Sequence, residues 1–367
     1  MPTVLHLLPH LGPGGPAKQV LLTAPALPPG RFAVRVAGLG AQDGFADEFR
    51  RAGLEPVALG GSSLTAARRL LRLVRETRPA VLHVWGPAAV RTAALAVGWP
   101  WLRPPDRPRL VASAALRGRR QPVRVGWAER QLLGRIDRFA AATEAEREHG
   151  RQLGLPGEHL ALVPPAVAIP APSPDGAGLR KALGLPADAR LLMAAGRLVA
   201  RDGWRDAVWA YDILHYTQPG LHLVVFGDGP DRSALEAFAR RLGGADTRTH
   251  FAGPRPDAAD LFGLAEAVLV PNAVEGGGNV AREAQAAGVP VVAVCQPDTE
   301  AVITDGETGL LVPPHDRAGL AARTMHLLND AGLRQRLGAA GRRSAAARFA
   351  VAPAAEALAR LYDELTA

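Results

Sequence analysis

The chain has 367 residues, 48% of them apolar, with 43 Lys+Arg against 35 Asp+Glu and a formal net charge of +8. That length and apolar share suit a globular protein with room for two ordinary domains and exclude a disordered chain. A single cysteine, Cys295, excludes a disulfide framework or a cysteine-built zinc site, and no apolar run is long enough to cross a membrane as a helix.

The opening segment Thr3–Leu8 reads as a first strand; it lacks the charged n-region of a signal peptide, which makes the cytoplasm the expected location. Gly12-Pro-Gly14-Gly15-Pro-Ala-Lys18 follows it as a glycine loop opening a helix. Further short apolar runs at Ala33–Gly38, Ala80–Val84, Leu110–Ser113 and Arg138–Ala142 predict strands, with helical patterns between them. One such helix carries Arg68, Arg69, Arg72 and Arg75 opposite an expected buried side of Leu64, Ala67, Leu71 and Val74. His83 ends a strand. Val163–Gly178 is rich in proline and alanine, cannot be regular helix or central strand, and predicts an interdomain linker. The expected domains are therefore 1–168 and 169–348, followed by a last helix within 349–367. After the linker, strands are predicted at Leu191–Ala195, His222–Phe226, Thr249–Phe251, Ala267–Val270 and Val289–Val294. Two successive β/α runs predict two doubly wound, Rossmann-like α/β domains, with ligands bound at the carboxyl ends of the strands.

The most informative stretch lies between the last two of those strands. Pro271-Asn-Ala-Val-Glu275-Gly-Gly277-Gly278-Asn279-Val280-Ala-Arg-Glu283 leads a strand through a glycine loop into a helix expected from Asn279 to Ala287. Free N–H groups and the dipole at such a helix start favour anions, while the two carboxylates can accept hydrogen bonds from sugar hydroxyls. An ordinary glycine loop with two solvated glutamates would share the pattern over these few residues.

The segment, with Ala287-Gly-Val-Pro-Val after it, resembles the E-G-F-G, E-A and A-G-x-P-V signature of retaining GT-B glycosyltransferases of family 4, the group 1 glycosyl transferases. The resemblance implies a GT-B fold, with two Rossmann-like domains facing a central crevice. It implies that Glu275 holds the donor sugar, that the amides of Gly277, Gly278, Asn279 and Val280 meet the diphosphate, and that Glu283 binds the ribose. Gly196-Arg197-Leu resembles the family's G-R-L-x-x-x-K-G turn, making Arg197 the partner of the leaving diphosphate. The lysine position is Asp202, and Arg201 and Arg205 flank it as sources of the missing charge. Gly227 and Gly229, in Phe226-Gly-Asp-Gly-Pro, match the loop that approaches the nucleotide, and Arg255 lies in the segment expected beside the base. In the first domain, Gly14, Gly15 and Lys18 match the loop on the acceptor side, and His83 takes the first position of a frequent H-x-H, which makes it a catalytic candidate. Two further departures are Gly277 in place of phenylalanine and Gln296-Pro297 in place of paired glycines.

The resemblance implies transfer of a sugar from a nucleoside diphosphate sugar to a hydroxyl acceptor, with retention and no cofactor beyond the donor. No metal is expected, since no acidic D-x-D pair stands at a strand end and the diphosphate charge falls to Arg197 and helix N–H groups. Asp202 keeps open a catalytically weak nucleotide-sugar binding protein, and the fold keeps open a sugar-nucleotide epimerase. Charge adds a second clue. Residues 1–168 hold 23 basic against 12 acidic residues and the remainder 20 against 23, with Trp99, Trp101 and Trp127 interleaved among arginines. One reading is peripheral docking to an anionic membrane at its inner face, each basic residue near it contributing about 1 kcal/mol, and with it a lipid-linked acceptor. The other is a solvated, arginine-rich surface. No nucleic acid partner is expected, since no binding motif accompanies the charge.

Overall fold

The computed structural model describes residues 1–12, 14–40, 45–97, 107–114, 134–170, 176–244, 247–273 and 276–367. Trp99, Trp101 and Trp127 lie outside the described residues. The described residues form two units, Met1–Ala166 with Phe349–Ala367, and Val167–Arg348.

In the first unit the apolar runs become strands because both sheet faces are covered, so that β1 (Thr3–Leu8) and β4 (Val81–Trp85) bury nearly every side chain. The remaining strands are β2 (Ala33–Gly38), β3 (Pro56–Ala58), β5 (Arg109–Ser113), β6 (Arg138–Ala141) and β7 (Leu160–Leu162). Among the described residues they make a parallel sheet of order β3-β2-β1-β4-β5-β6-β7. Its helices are α1 (Gly15–Thr23), α2 (Ala46–Arg51), α3 (Ser63–Thr77), α4 (Gly86–Val97) and α5 (Glu144–Gln152). Strands β3 and β7 escape the sequence pattern; each has three residues at a sheet edge, too short to show a period. In α3 the Ser62 hydroxyl caps the start by accepting from Thr65 N at 3.4 Å. The helix buries Ala66, Ala67, Leu70 and Val74, whereas Leu64 is 65% exposed. Ala67 and Val74 are thus buried as expected and Leu71 packs partly against the core, while Ala66 and Leu70 take the place expected of Leu64, and the four arginines remain exposed. Gln19 on α1 closes two hydrogen bonds on Ala166, accepting from its N–H at 2.7 Å and donating to its carbonyl at 2.8 Å. The chain leaves this unit at that clamp.

The second unit repeats the plan. Strands β8 (Arg190–Ala195), β9 (Leu221–Phe226), β10 (Thr249–Gly253), β11 (Ala267–Val270), β12 (Val291–Val294) and β13 (Leu310–Val312) pair in parallel in the order β10-β9-β8-β11-β12-β13. The helices are α6 (Gly176–Leu183), α7 (Trp204–Thr217), α8 (Arg232–Gly243), α9 (Ala258–Leu261), α10 (Gly277–Ala286), α11 (Pro297–Glu300), α12 (Arg317–Asn329) and α13 (Ala331–Arg348). Leu192, Trp204, Leu223, Leu269 and Val292 lie in its core. The strand order reverses between β8 and β11, and a doubly wound sheet binds ligands outside the strand ends at that point.

The last helix, α14 (Val351–Thr366), returns to the first unit. Leu358, Ala359, Leu361 and Tyr362 pack there on Val4, Val81, Val111 and Ala140, and Arg31 pairs with Asp363. Among the described residues, no helix is long and apolar enough to cross a membrane.

Candidate active site

At the carboxyl end of the second sheet, two loops are stitched together backbone to backbone. Gly196 N donates to Phe226 O at 3.0 Å, Leu198 N to Asp228 O at 3.0 Å and Asp231 N to Leu198 O at 3.2 Å. These contacts leave no room for side chains. A Cβ on Gly227 would stand 1.9 Å from Gly196 O, and one on Gly229 would stand 2.2 Å from Leu198 O. The glycines of the Gly-Asp-Gly-Pro loop are therefore set by close backbone approach. Trp204, fully buried at the start of α7, donates its indole N–H to Arg197 O at 2.8 Å, which fixes the backbone of the Gly196-Arg197 turn and leaves the Arg197 side chain exposed.

The next crossing joins β8 to β11. Gly203 has φ 71°, and a Cβ there would lie 2.2 Å from Pro271 O. The turn after β8 thus touches the loop after β11, on both sides of the switch point. Gly276 caps α10 in the left-handed conformation, φ 97°, and the helix begins at Gly277, two residues earlier than predicted. Glu283 consequently sits half-buried in the second turn, six residues after the helix start instead of the four that a start at Asn279 gives. The earlier start also removes one member of the expected amide cradle. Val280 is the fourth helical residue, so its N–H enters the helical ladder, and the free donors are those from Gly276 to Asn279. Two of them are occupied. Asp298 Oδ2 accepts from Gly276 N at 2.8 Å and Gly278 N at 3.1 Å. Gly277 fits because its missing Cβ would lie 2.5 Å from Val270 Cγ1 and 3.0 Å from Thr299 Cγ2. Asn279 accepts from Arg282 through its side-chain oxygen. Glu275 lies outside the described residues.

The arginines expected to replace the missing lysine are arranged otherwise. Arg205 lies over the Phe238 ring, its Cζ 4.6 Å from the centroid. Arg255, expected beside the base, closes its fork on Asp257 at 2.9 and 2.6 Å, holding that carboxyl below the usual carboxylate range. Arg201 is 77% exposed and reaches Asp202 only at 3.9 Å. Asp202 itself is buried, and that burial pushes its carboxyl above the usual range against the opposing pull of Arg201 and Arg197. Arg197 and Arg201 are thus the exposed cations of the turn, while Arg205 and Arg255 are engaged elsewhere.

In the first unit, Gly14 and Gly15 open α1 beneath His10, with a Gly14 Cβ position 3.0 Å from His10 Cε1, and Lys18 N donates to Gly14 O at 3.1 Å. His83 requires a correction. It is fully buried, its Nδ1 hydrogen-bonds Tyr362 Oη at 2.6 Å, and its Nε2 bonds Ser113 Oγ at 2.9 Å. The ring stacks on Trp85 at 4.7 Å, and burial, then the adjacent His6, lower its pKa well below the ordinary histidine value. With both nitrogens engaged inside the core, it touches no substrate space and is a structural residue. The strand continues through Trp85, and α14 covers His83 from 279 positions away, a contact that no local pattern signals. Asp298 escapes a sequence reading for the opposite reason. Pro297 after Gln296 marks a short helix start, yet nothing in the spacing says that the next side chain reaches α10.

Residues 177–344 match the family described as Glycosyl transferases group 1, and residues 13–169 match Glycosyltransferase Family 4. A D-inositol 3-phosphate glycosyltransferase of Xylanimonas cellulosilytica is 36% identical over 251 residues, covering 65% of this chain and 59% of that protein. Its counterpart in Streptomyces bingchenggensis is 34% identical over 250 residues, 64% of this chain and 54% of that protein. The chain therefore spans less than two thirds of the length of these curated relatives. Among solved structures, Anabaena HepE in complex with UDP and glucose aligns with a TM-score of 0.83 at 19% identity, covering 99% of this chain and all of that one. Sucrose-phosphate synthase from Thermosynechococcus elongatus aligns at 0.76 and 20% identity over 99% of both chains. At such identities the likeness is one of fold, and the fold is GT-B.

Proposed function

Because this chain belongs, through a Family 4 domain and a group 1 domain, to the GT-B glycosyltransferases, we propose that it moves a sugar from a nucleoside diphosphate sugar to a hydroxyl acceptor. One observation carries this reading. The Gly196-Arg197 turn, pinned by Trp204 and the Gly227–Gly229 loop, meets the loop entering α10 at the switch point of the second sheet. That arrangement sets an exposed cation, on a backbone that Trp204 holds, and the start of a helix at the same end of the sheet, where an anion can meet both.

In this reading Arg197 and the amides at the start of α10 take the charge that develops on the leaving diphosphate, without a metal. Glu275 orients the donor sugar and Glu283 the ribose, and transfer proceeds with retention. The Gly14–Lys18 segment lies on the acceptor side. For the acceptor we take the lead of the relatives named D-inositol 3-phosphate glycosyltransferases, a phosphorylated cyclitol hydroxyl. A relative named lipopolysaccharide core biosynthesis glycosyltransferase LpsE, from Rhizobium meliloti, favours a second reading. There the acceptor is lipid-linked and the exposed Arg68, Arg72 and Arg75 of α3 rest on an anionic membrane at its cytoplasmic face.

The test is transfer of label from UDP-, GDP-, ADP- and dTDP-sugars to inositol 3-phosphate, and to a lipid-linked sugar in anionic vesicles. Product is expected with one donor base, without magnesium. Arg197→Ala should lower kcat/KM by about 10²- to 10³-fold, the loss typical of removing one transition-state charge partner. Binding of a nucleotide sugar without transfer to any acceptor would instead identify a binding protein, and conversion of the donor sugar without an acceptor would identify an epimerase.

A further inference from the structure

The carboxylate of Asp298 occupies the place at the start of α10 that an anionic ligand would take. Its Oδ2 accepts from both Gly276 N and Gly278 N, at 2.8 and 3.1 Å. The contact is built into the chain at three points. Gly278 has no side chain, and a Cβ there would lie 2.7 Å from the Asp298 carbonyl oxygen, so glycine is what lets the two segments approach. Thr299, fully buried, donates to Val294 O at 2.7 Å and accepts from Gln296 N at 2.9 Å, which fixes the backbone on either side of Asp298. Gln296 donates to Ala273 O at 2.7 Å, tying this turn to the loop after β11. The backbone is held while the Asp298 side chain is half-buried and Gly276 is exposed, so rotation of one side chain is enough to free both amides.

We propose that Asp298 is an internal rival of the donor diphosphate, filling the Gly276 and Gly278 amides in the empty protein and yielding them when donor binds. The inference rests on the donor-site reading above and assigns a role to a residue that reading leaves idle. A carboxylate and a diphosphate cannot both take the same two N–H groups, and their like charges repel at that distance. Donor and product diphosphate therefore bind more weakly than the amides alone would allow, and the product meets a competitor that helps it leave. The rivalry concerns charge, so it acts on ligands that carry phosphate and not on the nucleoside.

The experiment is calorimetric titration of the full-length protein, Asp298→Asn and Asp298→Ala with UDP, GDP, ADP and dTDP, and with the corresponding nucleosides. Removing the charge should tighten the nucleoside diphosphate by about 3- to 10-fold, the range of a charge acting at a helix start, and leave the nucleoside unchanged. Asp298→Asn preserves shape, so it guards against a result caused by a disturbed fold. A residue that only braced the loop would give weaker diphosphate binding in Asp298→Ala and unchanged binding in Asp298→Asn, and either pattern overturns the proposal. If the wild type binds a diphosphate and neither variant tightens it, the rivalry alone is wrong. If all three proteins ignore every diphosphate, the donor-site reading falls and this inference falls with it.

Discussion

Gly227→Ala should destabilise the second unit by about 4 kcal/mol or more and abolish nucleotide binding. Its φ of 130° lies where L side chains are strained, and the added Cβ would sit 1.9 Å from Gly196 O. Strain alone costs about 1–2 kcal/mol. The overlap cannot be relieved by rotating a side chain, because the atom it meets is backbone. Relief requires the two loops to part, which breaks the bonds from Gly196 N to Phe226 O and from Leu198 N to Asp228 O. In a domain of this size the loss corresponds to roughly 8–16 °C in Tm. Gly184→Ala is the control. Gly184 also has positive φ, 63°, but nothing lies within 4 Å of its Cβ position, so only the strain of about 1 kcal/mol should appear. Two-transition calorimetry checks both variants; equal shifts would mean that the loops have room to separate.

The second large effect belongs to the buried histidines of the first unit. Tyr362→Phe removes the hydroxyl that meets His83 Nδ1 and leaves a fully buried ring nitrogen without its partner, at a cost of about 1–3 kcal/mol. Tyr362→Ala adds a cavity under α14 and should cost about 3–5 kcal/mol or more, detaching that helix from Val4, Val81 and Phe32. The same cluster makes the unit acid-sensitive. Burial pulls the His6 pKa down to about 3, and burial together with His6 depresses that of His83. Trp85 donates to His6 Nδ1 at 3.1 Å, while His6 Nε2 is buried without a hydrogen-bond partner. Both rings are neutral in the fold, and the unfolded chain binds their protons once pH drops below about 6.5. Their contribution to stability is therefore complete above that pH and declines as pH falls towards the folded values, at about 1.4 kcal/mol per pH unit for each histidine. Between pH 6.5 and about 5, above the usual carboxylate range, the first-unit transition should fall, and the second unit, where burial also holds His222 and His250 below the ordinary histidine value, should lose stability over the same interval. A first-unit Tm that is flat over that interval would contradict it.

Most strands of both sheets were legible because a parallel strand buried on two faces is an uninterrupted apolar run, as in Val81–Trp85 and Ala267–Val270. Glycine punctuation revealed the loops of the second unit for a physical reason now visible: Gly203, Gly227 and Gly229 each face a backbone oxygen at a distance no side chain tolerates. What stayed hidden were contacts between residues far apart in sequence. Tyr362 on His83 turned a catalytic candidate into a core residue, Phe238 drew Arg205 out of the expected charge cluster, and Asp257 closed on Arg255, which is expected beside the base. The start of α10 was misplaced by two residues because glycine lowers helix propensity, while here the αL conformation of Gly276 lets the helix begin directly after it.

The most direct test of the donor site is a titration of the protein with UDP, GDP, ADP and dTDP, with and without magnesium, read as heat and as thermal stabilisation. One nucleotide should bind selectively and independently of magnesium, raising the stability of the second unit by about 2.7 kcal/mol at a hundredfold excess over Kd. Absence of binding by every nucleoside diphosphate would contradict a donor site at the switch point of the second sheet, and with it the proposed transfer.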